Sequence, residues 1–267
     1  MGNFTDFISN AFKYYQNNKR IKKLEAKGAK IGKNVFICKG AQFDNPQKLT
    51  IGDNVYIGYN FYSNCRGGLT IGKGTLISYN CTIITYNHDY KEDLFMPYGL
   101  SNDDREVIIK DRVWIGINVN ITAGVVIGNE AIIGMGTTVA KKIPDGSIYA
   151  GGRFLSEREP KNYKYDLLEV RAVYDPMHYL KFRKIIKKII KSTNDKKIKF
   201  ETIKEKYDDY DTYIMIYRWC ENNNYKADWK NEIIQIKWKC RARTLYDPKI
   251  ITFYGKTIAK CEFVWYN

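Results

Sequence analysis

Aliphatic residues recur every six positions through the first half of the chain. Ile109, Ile115, Ile121, Ile127, Ile133 and Val139 form one unbroken series and Ile71, Ile77 and Ile83 another, preceded by Ile51 and Ile57 and by Ile31, Ile37 and Phe43. A helix repeats near 3.6 residues, so this period is not helical. Two places before each aliphatic stands a smaller side chain, namely Val113, Val119, Val125, Ala131 or Thr137. That companion alternates with the aliphatic across a strand. Three such six-residue strands close one triangular turn of 18 residues, the step from Ile109 to Ile127. The aliphatic points into the prism, and the next residues turn a corner where Gly or Asn tolerates positive φ. Such coils bury their apolar faces only by stacking, so the pattern predicts a parallel β-helix.

Five coils are counted, starting at Ile31, Ile51, Ile71, Ile109 and Ile127. The first two steps exceed one coil by two residues. The third is far longer, which places an insertion of about 20 residues between Ile83 and Ile109, in the string TYNHDYKEDLFMPYGLSNDDREVI. A long excursion from a rigid solenoid that carries aromatics, His88 and Asp89 points to function.

Residue totals restrict the chemistry. The 267 residues include only two histidines, His88 and His178, so a three-histidine zinc site within one chain is excluded. Six cysteines (Cys38, Cys65, Cys81, Cys220, Cys240 and Cys261) form no C-x-x-C pair and sit in apolar or alternating segments, as reduced core thiols of a cytoplasmic protein would. The N-terminus lacks the features of a signal peptide, no run of about 18 apolar residues occurs, and Asp6 breaks the myristoylation pattern begun by Gly2.

The hexads of form [LIV]-G-x-x-[STAV]-x, the histidine in an excursion from the third coil, and the ending VWIGINVNITAGVVIGNEAIIGMGTTVAKKIPDGSIYAGG together resemble the hexapeptide-repeat acyltransferases of the left-handed parallel β-helix type. Closest in pattern are the galactoside and maltose O-acetyltransferases and the polysaccharide O-acetyltransferases, over roughly residues 20 to 152. The resemblance implies a homotrimer, acetyl-CoA as donor, no metal, and active sites in clefts between neighbouring prisms. His88 falls where the family has its catalytic base. Asn64 of FYSNC matches an acceptor-pocket asparagine, with Tyr62 beside it. Trp114 and Gly116 belong to the coil near the donor groove, and Ile117 stands where relatives often place a Ser contacting the pantetheine arm. Met135, Ala140 and Lys141 match positions that hold coenzyme A, and Lys142 and Arg153 are candidates for its 3′-phosphate. After the last coil the chain reads Ala150-Gly151-Gly152-Arg153 where relatives commonly have A-G-N-P-A-K, so a different exit from the prism is expected.

Acetyl transfer from a thioester to a hydroxyl needs a base for the attacking hydroxyl and donors for the developing oxyanion. His88 is the candidate base, oriented by Asp89 or Glu92. Direct attack in a ternary complex is expected, since no Ser or Cys sits in a recognisable nucleophile motif. His178, in YDPMHYL, is read as structural. The gamma-type carbonic anhydrases share the prism but need three histidines at a subunit interface, and only His88 lies in this one.

Outside the repeat, residues 4 to 27 read as an amphipathic helix with Phe4, Phe7, Ile8, Phe12 and Tyr15 apolar, ended by Gly28 and capping the first coil. Leu180 to Lys191 alternates pairs of Ile with pairs of Lys, a helix with one apolar and one basic face. Ile234, Ile236, Trp238, Cys240 and Ala242 alternate with polar residues, and Ala259, Cys261, Phe263 and Trp265 alternate with Lys260, Glu262 and Val264, which suggests antiparallel strands. The chain is thus expected to be mainly β and to divide into a helical cap (1–28), a β-helix acetyltransferase domain (29–152) and an α+β extension (153–267). Of the net charge of +15, residues 151–267 hold +10. This argues against nucleic acid as partner of the prism and suggests an extension that meets a membrane surface or an anionic glycan. The function read from the chain is acetyl-CoA-dependent O-acetylation of a saccharide, of a bacterial surface polysaccharide or its precursor. The alternatives are N-acetylation of an amino sugar, O-acetylation of an antibiotic, and a non-catalytic glycan-binding scaffold.

Overall fold

A computed structural model describes residues 4–91, 93–159, 176–192, 197–205, 216, 220, 226–228, 233–235, 251–253 and 256–258. The aliphatic series winds into a parallel β-solenoid with three faces. One face stacks Lys30–Ile31, Leu49–Ile51, Leu69–Ile71, Val107–Ile109 and Val126–Ile127; their register brings Ile31, Ile51, Ile71, Ile109 and Ile127 into one ladder, the five coils the period predicts. A second face runs from Phe36–Ile37 to Ile132–Ile133, and a third from Gln42–Phe43 to Thr138–Val139. Ile57, Ile77, Ile83, Ile109, Ile115 and Ile127 are fully sealed from solvent. Each such side chain contributes about 2 kcal/mol of burial, which is available only while its neighbouring coils are in place.

The corners follow the expected chemistry. Asn34, Asn54, Asn60, Asn80 and Asn118 all take positive φ, between 54° and 58°. Glycine is used where coils approach too closely for a side chain: a Cβ on Gly116 would lie 2.6 Å from the Met135 nitrogen.

The two ends are finished differently. At the N-terminal end, helix α1 (Phe4–Glu25) lies against the first coil. Buried Asn17 donates from Nδ2 to the Val35 carbonyl (2.9 Å) and accepts the Ile37 N–H at Oδ1 (2.9 Å), while Arg20 donates to the Ile37 carbonyl (2.8 Å). An exposed solenoid end presents unpaired peptide groups, and these side chains satisfy them as a further coil would. This corrects the expected capping face. Phe12 and Tyr15 are 64% and 61% exposed, and the cap is made by Asn17, Arg20, Ile21 and Leu24, because the open edge needs hydrogen-bonding groups as well as apolar cover. The side chains of Phe4, Phe7 and Ile8 lie outside the described ones.

At the other end a partial sixth coil forms: Ile143 bridges Ile127, and Ser147–Ala150 pairs in parallel with Ile132–Ile133. Gly151 and Gly152, with φ of 58° and 77°, then reverse the chain into Arg153–Glu157, antiparallel to Ser147–Ala150. This hairpin is how the chain leaves the prism without the relatives' proline.

Beyond it, the Ile/Lys segment is helix α2 (Pro176–Ser192), with Phe182, Ile186 and Ile189 buried. His178 lies in its first turn. A short helix α3 (Phe200–Lys204) follows a strand, Lys197–Lys199. Ile233–Gln235 pairs antiparallel with Lys197–Lys199 and with Lys226–Asp228. Ile251–Phe253 pairs antiparallel with Lys256–Ile258. The expected strand over Ala259–Trp265 and most of that over Ile234–Ala242 lie outside the described residues. Cys38, Cys65, Cys81 and Cys220 are buried free thiols, and Cys240 and Cys261 lie outside the described residues. Among the described residues no helix is long and apolar enough to cross a membrane.

Candidate active site

Of the three edges of the prism, the one joining the third face to the first carries the long excursion. Residues 84–106 leave it as an antiparallel hairpin, Tyr86–His88 against Asn102–Asp104, with His88 opposite Asn102. His88 therefore sits at the end of a ladder, better fixed than a residue in an irregular loop. Arg66, on the same edge one coil earlier, pairs through Nε with Asp104 (2.9 Å) and lies 5.3 Å from the centre of the Tyr86 ring. The hairpin base is thus clamped to the solenoid.

His88 is half-buried and lines a cleft of about 320 Å³ with Asp89, Tyr90, Lys91, Asn102, Asp103 and Arg105. Its ring stacks on Tyr98 (3.9 Å between centres, 12° between planes), and Tyr86 meets it edge-on at 5.8 Å. Among the described residues no hydrogen bond reaches either ring nitrogen. The Asp89 carboxylate accepts instead from the Lys91 N–H and the Ser101 hydroxyl, each at 3.0 Å, and so braces its own loop. Glu92 lies outside the described residues. Sequence reasoning missed Tyr98 because its only signal was an aromatic in an insertion.

Asn64 follows the strand Tyr62–Ser63 and is buried. Its Oδ1 accepts both the Thr85 backbone N–H (3.0 Å) and the Thr85 hydroxyl (2.9 Å). A peptide N–H can only donate, so the amide orientation is fixed, and Nδ2 is left without a hydrogen-bonding partner among the described residues. The Thr85 hydroxyl in turn accepts the Gly67 N–H at 2.8 Å, and a Cβ on Gly67 would collide with the Thr85 carbonyl at 2.0 Å. Thr85 thus links Asn64 to the strand bearing His88; no sequence pattern marked it. The Tyr62 hydroxyl donates to Asp44 (2.9 Å), and this bond raises the phenol's pKa above its ordinary value, with a smaller push from desolvation.

The remaining residues separate by edge. Ala140, Lys141 and Lys142 are exposed on the edge that bears Asn64 and the His88 hairpin, but beyond the fifth coil's third strand; the Lys141 ammonium lies 5.6 Å over the Tyr149 ring. Trp114, 53% exposed, projects from the second face between Leu76 and Ile132. Ile117 and exposed Met135 occupy the next edge round, in consecutive coils joined by the bond from the Gly136 N–H to the Ile117 carbonyl (2.8 Å). Within one chain, Asn64 is tied through Thr85 to the strand of His88 and follows Tyr62 in sequence, though neither lines the His88 cleft, while Trp114, Ile117 and Met135 lie elsewhere.

Comparison with known proteins agrees with this architecture. The family model of the bacterial transferase hexapeptide (six repeats) matches residues 106–141. WcaF of Escherichia coli K12, assigned to colanic acid biosynthesis as an acetyltransferase, is 30% identical over 132 residues, 49% of this chain and 70% of WcaF. The galactoside O-acetyltransferase of Lactococcus lactis is 30% identical over 146 residues, 54% of this chain and 69% of that enzyme. That of Escherichia coli K12 is 32% identical over 129 residues, 46% of this chain and 60% of that enzyme. With the repeat, the excursion and this coverage in agreement, the chain belongs to the hexapeptide-repeat acetyltransferases, related to WcaF and the galactoside O-acetyltransferases.

Proposed function

We propose that this acetyltransferase, which uses acetyl-CoA, acetylates a hydroxyl of a saccharide belonging to a surface polysaccharide or its precursor, with His88 as general base. The observation that carries the reading is the half-buried imidazole in its cleft, on the edge that also bears Asn64, with its ring nitrogens and the Asn64 Nδ2 all unengaged by described residues. In the reaction a ring nitrogen takes the proton of the acceptor hydroxyl as its oxygen bonds to the thioester carbonyl carbon. The C–S bond then breaks, and the imidazolium returns the proton to the departing thiolate, giving an acetyl ester and free coenzyme A. In this reading Asn64 Nδ2 serves as a donor to acceptor oxygens, Tyr62 meets the acceptor from the neighbouring strand outside the cleft lining, and Tyr98 holds the imidazole plane, a role expected of Asp89 or Glu92. The polysaccharide class is supported by the likeness to WcaF.

Trp114, Ile117, Met135, Ala140, Lys141 and Lys142 are proposed to hold the donor. Since Trp114 sits on the second face and Ile117 and Met135 on the edge next to it, the reading requires a neighbouring subunit to bring them to His88. Support comes from the second face, whose outward column Phe36, Tyr56, Leu76, Trp114, Ile132 and Ile148 is aromatic or aliphatic throughout and suits burial between subunits. A homotrimer working in the cytoplasm, with the prism at 29–152 flanked by cap and extension, is the assembly proposed. The test is acetyl-CoA turnover over a panel of saccharide hydroxyl acceptors, with mass spectrometry locating the acetyl. Ester formation on a sugar hydroxyl is expected; exclusive amide formation on amino sugars would overturn the O-acetyl assignment.

A further inference from the structure

The outward face of α1 carries residues that its capping role leaves unused. At 100° per residue, Phe12, Tyr15, Lys19, Lys22 and Lys23 form one band opposite Asn17, Ile21 and Leu24, and all five are exposed. Helix α2, which touches α1, repeats the arrangement. Its Phe182, Ile186 and Ile189 are buried, while Lys184, Lys187, Lys188 and Lys191 stand opposite and exposed. Its 17 residues include no acidic side chain. No ion pair between described residues engages those four lysines.

We infer that these two helix faces are a docking surface for an anionic phospholipid bilayer. Lysines spread over two convex helix faces offer mobile point charges without a concave pocket, which matches a field of headgroups better than one small anion. Phe12 and Tyr15 decide between a bilayer and a soluble polyanion. An interface at the headgroup level accepts aromatic side chains beside lysines, whereas a soluble anionic polymer leaves them in water. In the proposed cyclic trimer the prism axes point the same way, so three copies of this surface share one end of the assembly and bind together. Docking there would bring the His88 cleft to acceptors carried on lipid.

Sedimentation of the full chain with vesicles tests this, because it reads no chemistry and its failure leaves the acetyltransferase reading intact. Binding to phosphatidylcholine vesicles with about 30% phosphatidylglycerol at low salt, and release at high salt, is expected. Replacing Lys184, Lys187, Lys188 and Lys191 with Gln should weaken partitioning on the order of 100-fold. The pair Phe12→Ser and Tyr15→Ser should weaken it about tenfold with every lysine present. Both variants should keep the wild-type melting temperature and turnover on a soluble acceptor. Equal sedimentation on neutral and anionic vesicles would overturn the inference. So would dextran sulfate binding that loses affinity in the lysine variant while vesicle binding does not, which would assign the face to a soluble polyanion.

Discussion

Two of the three edges of the solenoid are built to one rule, and the third breaks it in almost every coil. Between the first and second faces, and between the second and third, four residues separate the strands in all five coils, as in 52–55 and 116–119. On the edge between the third face and the first, the connections are 44–48, 64–68, 84–106, 122–125 and, into the partial sixth coil, 140–142. Constant edges carry the stacking, since every residue there must match its neighbours one coil away. The variable edge is free of that demand, and it bears Asn64 and His88.

The sharpest way to break this comparison is insertion. Two residues placed after Asn118, on a constant edge, should shift its later strands out of register and lower the melting temperature by more than about 10 °C in circular dichroism. The same insertion after Asp93 should move it by no more than about 2 °C. Equal effects would mean that the edges do not differ mechanically.

Asparagines on the two edges sharpen it further. Asn64→Ala should lower kcat by about 100-fold, together with the stability cost of leaving the buried Thr85 N–H unpaired. Asn118→Ala, at φ 57°, should cost about 1 kcal/mol of stability and leave kcat unchanged. Equilibrium denaturation and steady-state kinetics on both variants separate the two outcomes. If Tyr98 holds the imidazole plane, Tyr98→Ala should reduce kcat about tenfold with little change in KM, and Tyr98→Phe should restore it.

A smaller effect concerns thiols on both kinds of edge. Burial pushes Cys65, on the variable edge, up to about 11, and also raises Cys38 and Cys81 on a constant edge. Raised folded values mean that the unfolded chain releases these protons first, from its ordinary value of 9.0 upward. The contribution is therefore intact below about pH 9 and is lost progressively from there to about 11. Denaturation midpoints should fall over that window, and thiol-reagent labelling at lower pH should follow global unfolding for all three.

This contrast also explains what could be read from sequence. Ile109 to Val139 announces its coils because the last residue of each strand points into the prism and is aliphatic at every pass. Ser63 breaks the aliphatic series beside the variable edge; it is buried at 0% exposure and its hydroxyl accepts the Cys65 N–H, so no apolar signal marks it. The excursion and His88 were visible as an interruption of the period and a scarce residue type. Tyr98, Thr85 and the Arg66–Asp104 clamp were not, because each depends on contacts across 10 to 38 positions with no repeating spacing. The cap failed differently: hydrophobic periodicity selected Phe12 and Tyr15, while the open coil demanded the amide of Asn17.

The central claim is that this variable edge carries the chemistry through His88. The direct measurement is acetyl-CoA turnover by His88→Ala with a saccharide acceptor that the wild type acetylates, alongside its melting temperature. A fall in kcat of about 1,000-fold at an unchanged melting temperature is predicted. Turnover within about twofold of wild type would contradict the account and move the catalytic base elsewhere.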